Sequence, residues 1–201
     1  MALIQTDILV SGGGVAGLTA ACAFGAAGFS VLCVDPAPPV TAEADAGADL
    51  RTTAFLQPSR HVLETAGLWD KLATFAAPLQ IMRIVDAGGK TTDARNVADF
   101  DASDISDQPF GWNLPNWLLR REMLARIANL PNVTFLVGVS TSHATPREQE
   151  IRVQLSTGDS VQARLAIAAD GRNSALRQQA GIAVKTWRYG QKALAFSVSH
   201  P

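Results

Sequence analysis

Thr6-Asp7-Ile8-Leu9-Val10-Ser11 runs into Gly12-Gly13-Gly14-Val15-Ala16-Gly17, and the stretches Val15 to Ala27 (VAGLTAACAFGAA) and Ser30 to Val34 (SVLCV) lead on to Asp35. The first run is β-branched and apolar, as a strand covered on both faces of a parallel sheet must be. The next is rich in helix formers and meets a stop at Gly28. The last reads as a second buried strand. Together they fill about thirty residues, the size of one βαβ unit. Gly12, Gly14 and Gly17 hold the G-x-G-x-x-G positions in that context. There the first glycine permits a tight turn, the second lets backbone approach a pyrophosphate, and the third lets the helix pack on the strand. The helix start adds unpaired N–H groups and a partial positive charge, so Gly12, Gly13, Gly14, Val15, Ala16 and Gly17 form the expected diphosphate cradle. Asp35 lies 18 residues beyond Gly17, where a carboxylate accepts hydrogen bonds from the adenosine ribose and repels the 2′-phosphate of NADP. The motif alone serves FAD and NAD equally.

Working outward, Asp35 to Asp49 is a loop by composition, and Pro58 to Lys71 is expected to be a helix broken near Gly67. Gln80 to Asp86 alternates as a half-exposed antiparallel strand should, followed by a turn at Ala87 to Lys90 and a polar loop from Thr91 to Asp107. A helix is expected over Trp117 to Leu130 and a strand over Val133 to Val139. Ile151 to Leu155 and Val161 to Leu165 flank Ser156-Thr157-Gly158-Asp159 as a hairpin. Leu165 to Ala169 reads as a further buried strand running into Asp170-Gly171, with a helix over Asn173 to Ala180. Lys192 to Ser199 reads as another strand, whose partners are expected beyond Pro201.

Bulk properties narrow the function classes. Across 201 residues, 17 Lys and Arg stand against 18 Asp and Glu, so no basic excess points to nucleic acid. The N-terminus lacks a basic secretory region, and no run approaches the ~18 continuous apolar residues a membrane span needs. Cys22 and Cys33 sit in apolar segments at no metal or redox spacing, which implies buried free thiols and a reducing, cytoplasmic setting. His61, His143 and His200 share no ligand spacing, so no metal is expected.

Two further stretches carry a family resemblance. Asp49-Leu50-Arg51-Thr52-Thr53-Ala54, with Gly67-Leu68-Trp69 after it, resembles the D-x-R-T-x-A … G-L-W segment of the ubiquinone-biosynthesis hydroxylases. Those belong to the p-hydroxybenzoate-hydroxylase-like flavoprotein monooxygenases, whose D-G-x-x-S-x-x-R motif resembles Asp170-Gly171-Arg172-Asn173-Ser174-Ala175-Leu176-Arg177. The Gly111-Trp112 … Asn116 … Leu119 pattern and Trp187 to Ala193 are similar to the same family. The resemblance implies FAD as cofactor and NAD(P)H as electron donor. Arg51 is a permanent cation suited to the FAD diphosphate, or else a surface ion pair with an acidic neighbour. Asp170 is expected at the ligand edge of the sheet, or as a helix cap. Asn116 is assigned to the ribityl chain or the isoalloxazine. Val139 is expected either to set a backbone group against the adenine or to be an ordinary core valine.

The fold expected is α/β: a Rossmann-like FAD/NAD(P)-binding domain with a parallel sheet and a crossover hairpin, plus the beginning of an antiparallel substrate domain. Residues 1–78 and 105–183 would form the first, residues 79–104 and 184–201 the second. The function implied is NAD(P)H- and O2-dependent hydroxylation of a phenol, with a polyprenylated ubiquinone precursor as the substrate the family suggests. Peripheral contact with the inner membrane and a multi-enzyme ubiquinone-pathway complex follow from that substrate. Two alternatives stay open: a non-catalytic FAD-binding fragment or subunit, and an NAD-binding dehydrogenase.

Overall fold

β1 (Leu3–Ser11) alternates its apolar side chains between two cores, Ile8 and Val10 on one face and Leu9 on the other, because both faces of a central parallel strand are covered. The computed structural model describes residues 2–88, 91 and 93–194. After the glycine turn, α1 (Val15–Ala26) crosses to β2 (Val31–Asp35), which pairs parallel to β1 from Ile8↔Val31 to Ser11↔Val34. β3 (Thr52–Leu56) leads into α2 (Gln57–Thr65), started by Pro58, and the chain turns at Gly67 into the short α3 (Trp69–Leu72). β4 (Ala77–Leu79), β5 (Ile81–Asp86), β6 (Asn96–Asp101) and β7 (Gly111–Pro115) follow. α4 (Asn116–Ile127) then leads into β8 (Val133–Val137), which lies parallel to β2. β9 (Thr141–Pro146), β10 (Ile151–Leu155), β11 (Ser160–Ala168) and α5 (Ala175–Gln179) complete the order.

The main sheet has the order β8-β2-β1-β11-β10-β9, parallel through β11 and antiparallel beyond it. The expected α/β architecture with its crossover hairpin is therefore present, the hairpin being extended to three strands by β9. One core packs Leu18, Cys22, Leu118, Leu119 and Met123 of α1 and α4 on the sheet. The other packs Leu9, Leu32 and Val34 with Val153, Leu155 and Val161 of the antiparallel strands. Burying each such side chain stabilises the fold by about 1.5–3 kcal/mol.

Several expectations are corrected. Thr91 to Asp107 is not all loop, since β6 pairs with β5 and Asp99 forms a two-pronged ion pair with Arg83 across the strands, at 2.7 Å for each bond. That pairing is tertiary, and the acidic composition of the segment hid it. The two runs Val161 to Leu165 and Leu165 to Ala169 form one strand, because β1 pairs with β11 without a break from Leu3↔Ser160 to Ser11↔Ala168. β8 ends at Val137, where the chain turns at Gly138 (φ 78°), so Val139 lies beyond the strand. Residues 191–194 are irregular, and the rest of the expected strand Lys192 to Ser199 lies outside the described residues, as do Gly89 and Lys90 of the expected turn.

Trp69 and Trp112 meet edge to face at 5.4 Å, with the Arg60 guanidinium over both rings at 4.9 and 4.7 Å. The Trp69–Trp112 pair thus anchors α3 against β7, a contact type that contributes ~0.5–1.5 kcal/mol beyond its area.

Cys22 and Cys33 are free and fully buried, and burial pushes both thiols up to about 12. Folding holds them protonated. The stability this contributes is complete below the unfolded thiol pKa of about 8.5 and is lost as pH rises through the folded value. A thiol reagent at about pH 8 is expected to leave both unmodified in the folded chain and to titrate both after denaturation; reaction at the native rate of an exposed thiol would contradict the burial.

Candidate functional site

Parallel strands bring their C-terminal ends to one edge, and that edge collects most of the candidate residues. Ser11, Asp35 and Ala168 end β1, β2 and β11 there. α1 and α4 both precede a strand of the parallel sheet, so both helices start at the same edge. Side-chain contacts agree with this: Cys22 meets the Met123 carbonyl, and further down Asn132 Nδ2 donates to the Gly25 carbonyl at 2.8 Å.

The turn after β1 is built by backbone approach. Gly12 has φ 112°, and its N–H donates to the Val34 carbonyl at 2.8 Å. A Cβ on Gly12 would overlap the Ala169 carbonyl, and one on Gly17 would overlap the Gly12 carbonyl. A Cβ on Gly13 would press on Asp35 and Phe135. Gly14 differs, because open space surrounds the place its Cβ would take. Val15 and Ala16 open α1 directly after it, with no side chain capping the first N–H groups. The turn borders a cleft of about 370 Å3 lined by Gly12, Gly14, Asp35, Thr141, Asp170 and Asn173, among others.

Two carboxylates stand at that cleft. Asp35 accepts from the Gly13 N–H at 2.5 Å and from the Ala37 N–H at 2.8 Å, one bond to each oxygen, so each oxygen keeps a lone pair for a further donor. Asp170 uses Oδ2 to accept from the Ala175 and Leu176 N–H groups, at 2.8 and 3.3 Å. Its Oδ1 is buried and has no partner among the described residues. A buried carboxylate oxygen left so is costly and implies a missing donor. Asp170 thus caps α5 while also lining the cleft. Arg177 of the same motif turns away: Nη1 donates to the Arg172 carbonyl at 2.9 Å, and the side chain lines a separate, mainly apolar cavity of about 300 Å3 beside α5.

Arg51 and Asn116 form a second cluster, at the start of α4. Arg51 Nε and Nη2 donate to the two oxygens of Asp49, each at 2.8 Å. Asn116 is buried; its Nδ2 donates to Asp49 at 2.9 Å, and its Oδ1 accepts from the Thr53 hydroxyl at 2.6 Å. The Arg51 bonds, aided by Asn116, hold the Asp49 carboxyl well below the usual carboxylate range, against a smaller opposing effect of burial. Val139 stands apart: its side chain is buried in the second core with Val153 and Leu155, as an ordinary core valine is, and its N–H donates to the Asp35 carbonyl at 3.1 Å.

Sequence reasoning missed three residues here. Asp49 is the acidic neighbour of the alternative reading of Arg51, and its ties to Asn116 and Arg120 carry no local signal. Ser11 and Thr141, whose hydroxyls lie 3.0 Å apart beside the glycine turn, carry no sequence signal, because 130 positions separate them. Among the described residues there is no cluster of His, Cys, Asp and Glu that could hold a metal ion, and no helix is long and apolar enough to cross a membrane.

Residues 5–199 match the FAD-binding-domain family. The chain is 36% identical over 194 residues to ubiquinone hydroxylase UbiL of Rhodospirillum rubrum, covering 96% of this chain and 44% of that protein. It is 30% identical over 195 residues to 3-demethoxyubiquinol 3-hydroxylase of Escherichia coli, covering 96% and 48%. It therefore spans about half the length of these curated relatives. Among solved structures it is similar to p-nitrophenol 4-monooxygenase of Pseudomonas putida, with TM-score 0.71 at 21% identity over 90% of this chain and 44% of that one. At this identity the likeness is one of fold.

Proposed function

The chain belongs to the FAD-binding-domain family, and from that premise we propose that it holds FAD at the glycine turn as the dinucleotide-binding part of a monooxygenase acting on an aromatic ring. The observation that carries the proposal is that Gly14, with open space at its missing Cβ, and Asp170, whose buried Oδ1 has no partner among the described residues, line one cleft. The residues fit such a group. The α1 N–H groups and Arg51 would meet the diphosphate, Asp35 and Asp170 would accept from hydroxyls, Val139 would flank the adenine, and Asn116 would face the flavin half. Bound FAD would supply the redox chemistry, taking a hydride from NAD(P)H and using O2 to hydroxylate a phenol. The chain's own share is to bind, orient and exclude water.

Residues 1–78 and 105–183 would hold the dinucleotide, and residues 79–104 and 184–201 would face the substrate. The β5–β6 hairpin supports this division, since Met82, Ile84 and Phe100 share one exposed apolar face suited to an aromatic or prenylated ligand. The relatives' names support a ubiquinone precursor, and with it a cytoplasmic protein peripheral to the inner membrane and able to join a multi-enzyme complex.

The visible spectrum of the purified chain, repeated after adding FAD and gel filtration, tests the cofactor. Retained bands near ~370 and ~450 nm, with FAD released on denaturation, are expected. A colourless protein that retains NAD, or one that retains neither, would overturn the assignment. Product formation from a phenol with NAD(P)H then separates a hydroxylase from a protein that binds FAD and does nothing further.

A further inference from the structure

Asp49 is an odd neighbour for an anionic ligand. It sits at the edge where two helices start and a diphosphate would lie, and its side chain is only 14% exposed, whereas that of Arg51 is 74% exposed. Its charge is consumed by cations: Arg51 grips it with Nε and Nη2, and Arg120 Nη2 lies 3.8 Å away. Two guanidinium groups against one carboxylate leave the cluster net positive. Among the described residues, Nη1 of Arg51 has no partner, so the ion pair leaves one edge of the fork turned outward. The Arg51 N–H also donates to Asp49 Oδ1 at 3.2 Å, which closes a local turn, and its carbonyl accepts from the Asn116 N–H at 3.0 Å. One carboxylate thereby sets the orientation of both the exposed arginine and the buried Asn116 amide.

We propose that Asp49 is a positioning residue for the diphosphate end of the dinucleotide, acting through Arg51 without touching the ligand. An exposed arginine otherwise samples many rotamers, and ordering it on binding opposes affinity. The bidentate grip sets that order before the ligand arrives, and lysine, with a single point charge, cannot be gripped so. The proposal rests on the FAD reading above.

A double-mutant cycle on the 201-residue chain tests it, with FAD affinity read by quenching of flavin fluorescence and folding read by thermal melting. Asp49→Asn keeps the volume and one acceptor. It is expected to weaken FAD about tenfold in the parent and less than about twofold in an Arg51→Met background, because the arginine through which it acts is then gone. Asp49→Ser is expected to behave alike if the Asn variant folds poorly. Equal losses in both backgrounds would mean that Asp49 acts independently of Arg51, and a fall in melting temperature with unchanged affinity would mean that it only ties the loop to α4. Either outcome overturns the proposal while leaving the FAD reading intact. A parent chain that binds no FAD would overturn both.

Discussion

Gly17→Ala is expected to lower the melting temperature by roughly 4–8 °C, whereas Gly14→Ala leaves it within about 2 °C and weakens FAD at least tenfold. The two glycines belong to one motif but answer to different neighbours. A Cβ on Gly17 would overlap the Gly12 carbonyl and press on Ala169, so either α1 moves off β1 or the turn opens. Overpacking against backbone costs about 3 kcal/mol, more than the ~1 kcal/mol of helix propensity that alanine returns. Gly14 has an ordinary extended backbone (φ −74°, ψ 178°) with nothing near its missing Cβ, so the fold does not require glycine there. Only a ligand seated against that backbone does. Thermal melts and FAD titrations of the two variants check this, and parent-like affinity in Gly14→Ala would place the diphosphate elsewhere.

Asp170 separates binding from capping in the same way. Asp170→Asn is expected to melt within about 1 kcal/mol of the parent, because the amide oxygen can still accept from the Ala175 and Leu176 N–H groups. With its oxygen held there, the NH2 group takes the place of buried Oδ1 and offers a donor where an acceptor is needed. FAD affinity is therefore expected to fall about 10–100-fold, the equivalent of one charge-assisted hydrogen bond. Asp170→Ala should lose both the affinity and the cap. If Asn binds FAD like the parent and only Ala is destabilised, Asp170 is a cap and nothing more.

What was legible in the sequence follows the range of the forces involved. The β1–α1–β2 unit is written in consecutive residues: apolar runs whose period and length mark buried strands, and a glycine pattern that only a tight turn with close backbone approach calls for. The helix boundaries at Pro58 and Gly67 are equally local. By contrast β3, β7 and β9 were not expected. β3 and β7 are short and stand because each supplies the other's hydrogen bonds from far along the chain, as in the pairing Thr52↔Pro115, while the polar β9 is held by its neighbour β10, as in Ala144↔Val153. Phe55 and Leu114 read as scattered apolar residues until α4 and α2 are folded over them.

The sequence by itself determined that a tight glycine turn follows the first strand and that Asp35 ends the second, since about thirty contiguous residues with their own turn chemistry contain both. Only the tertiary structure decided which other residues join it. Pairing of β1 with β11 carries Asp170 to the glycine turn across more than 150 positions and turns Arg177 away toward another cavity. Packing of α4 beside α1 sets Asn116 against Asp49 and Arg51. The reason is physical: a turn is chosen by the sterics of adjacent residues, but the orientation of a polar side chain is chosen by whichever partner satisfies it, and that partner is known only once the chain has closed on itself.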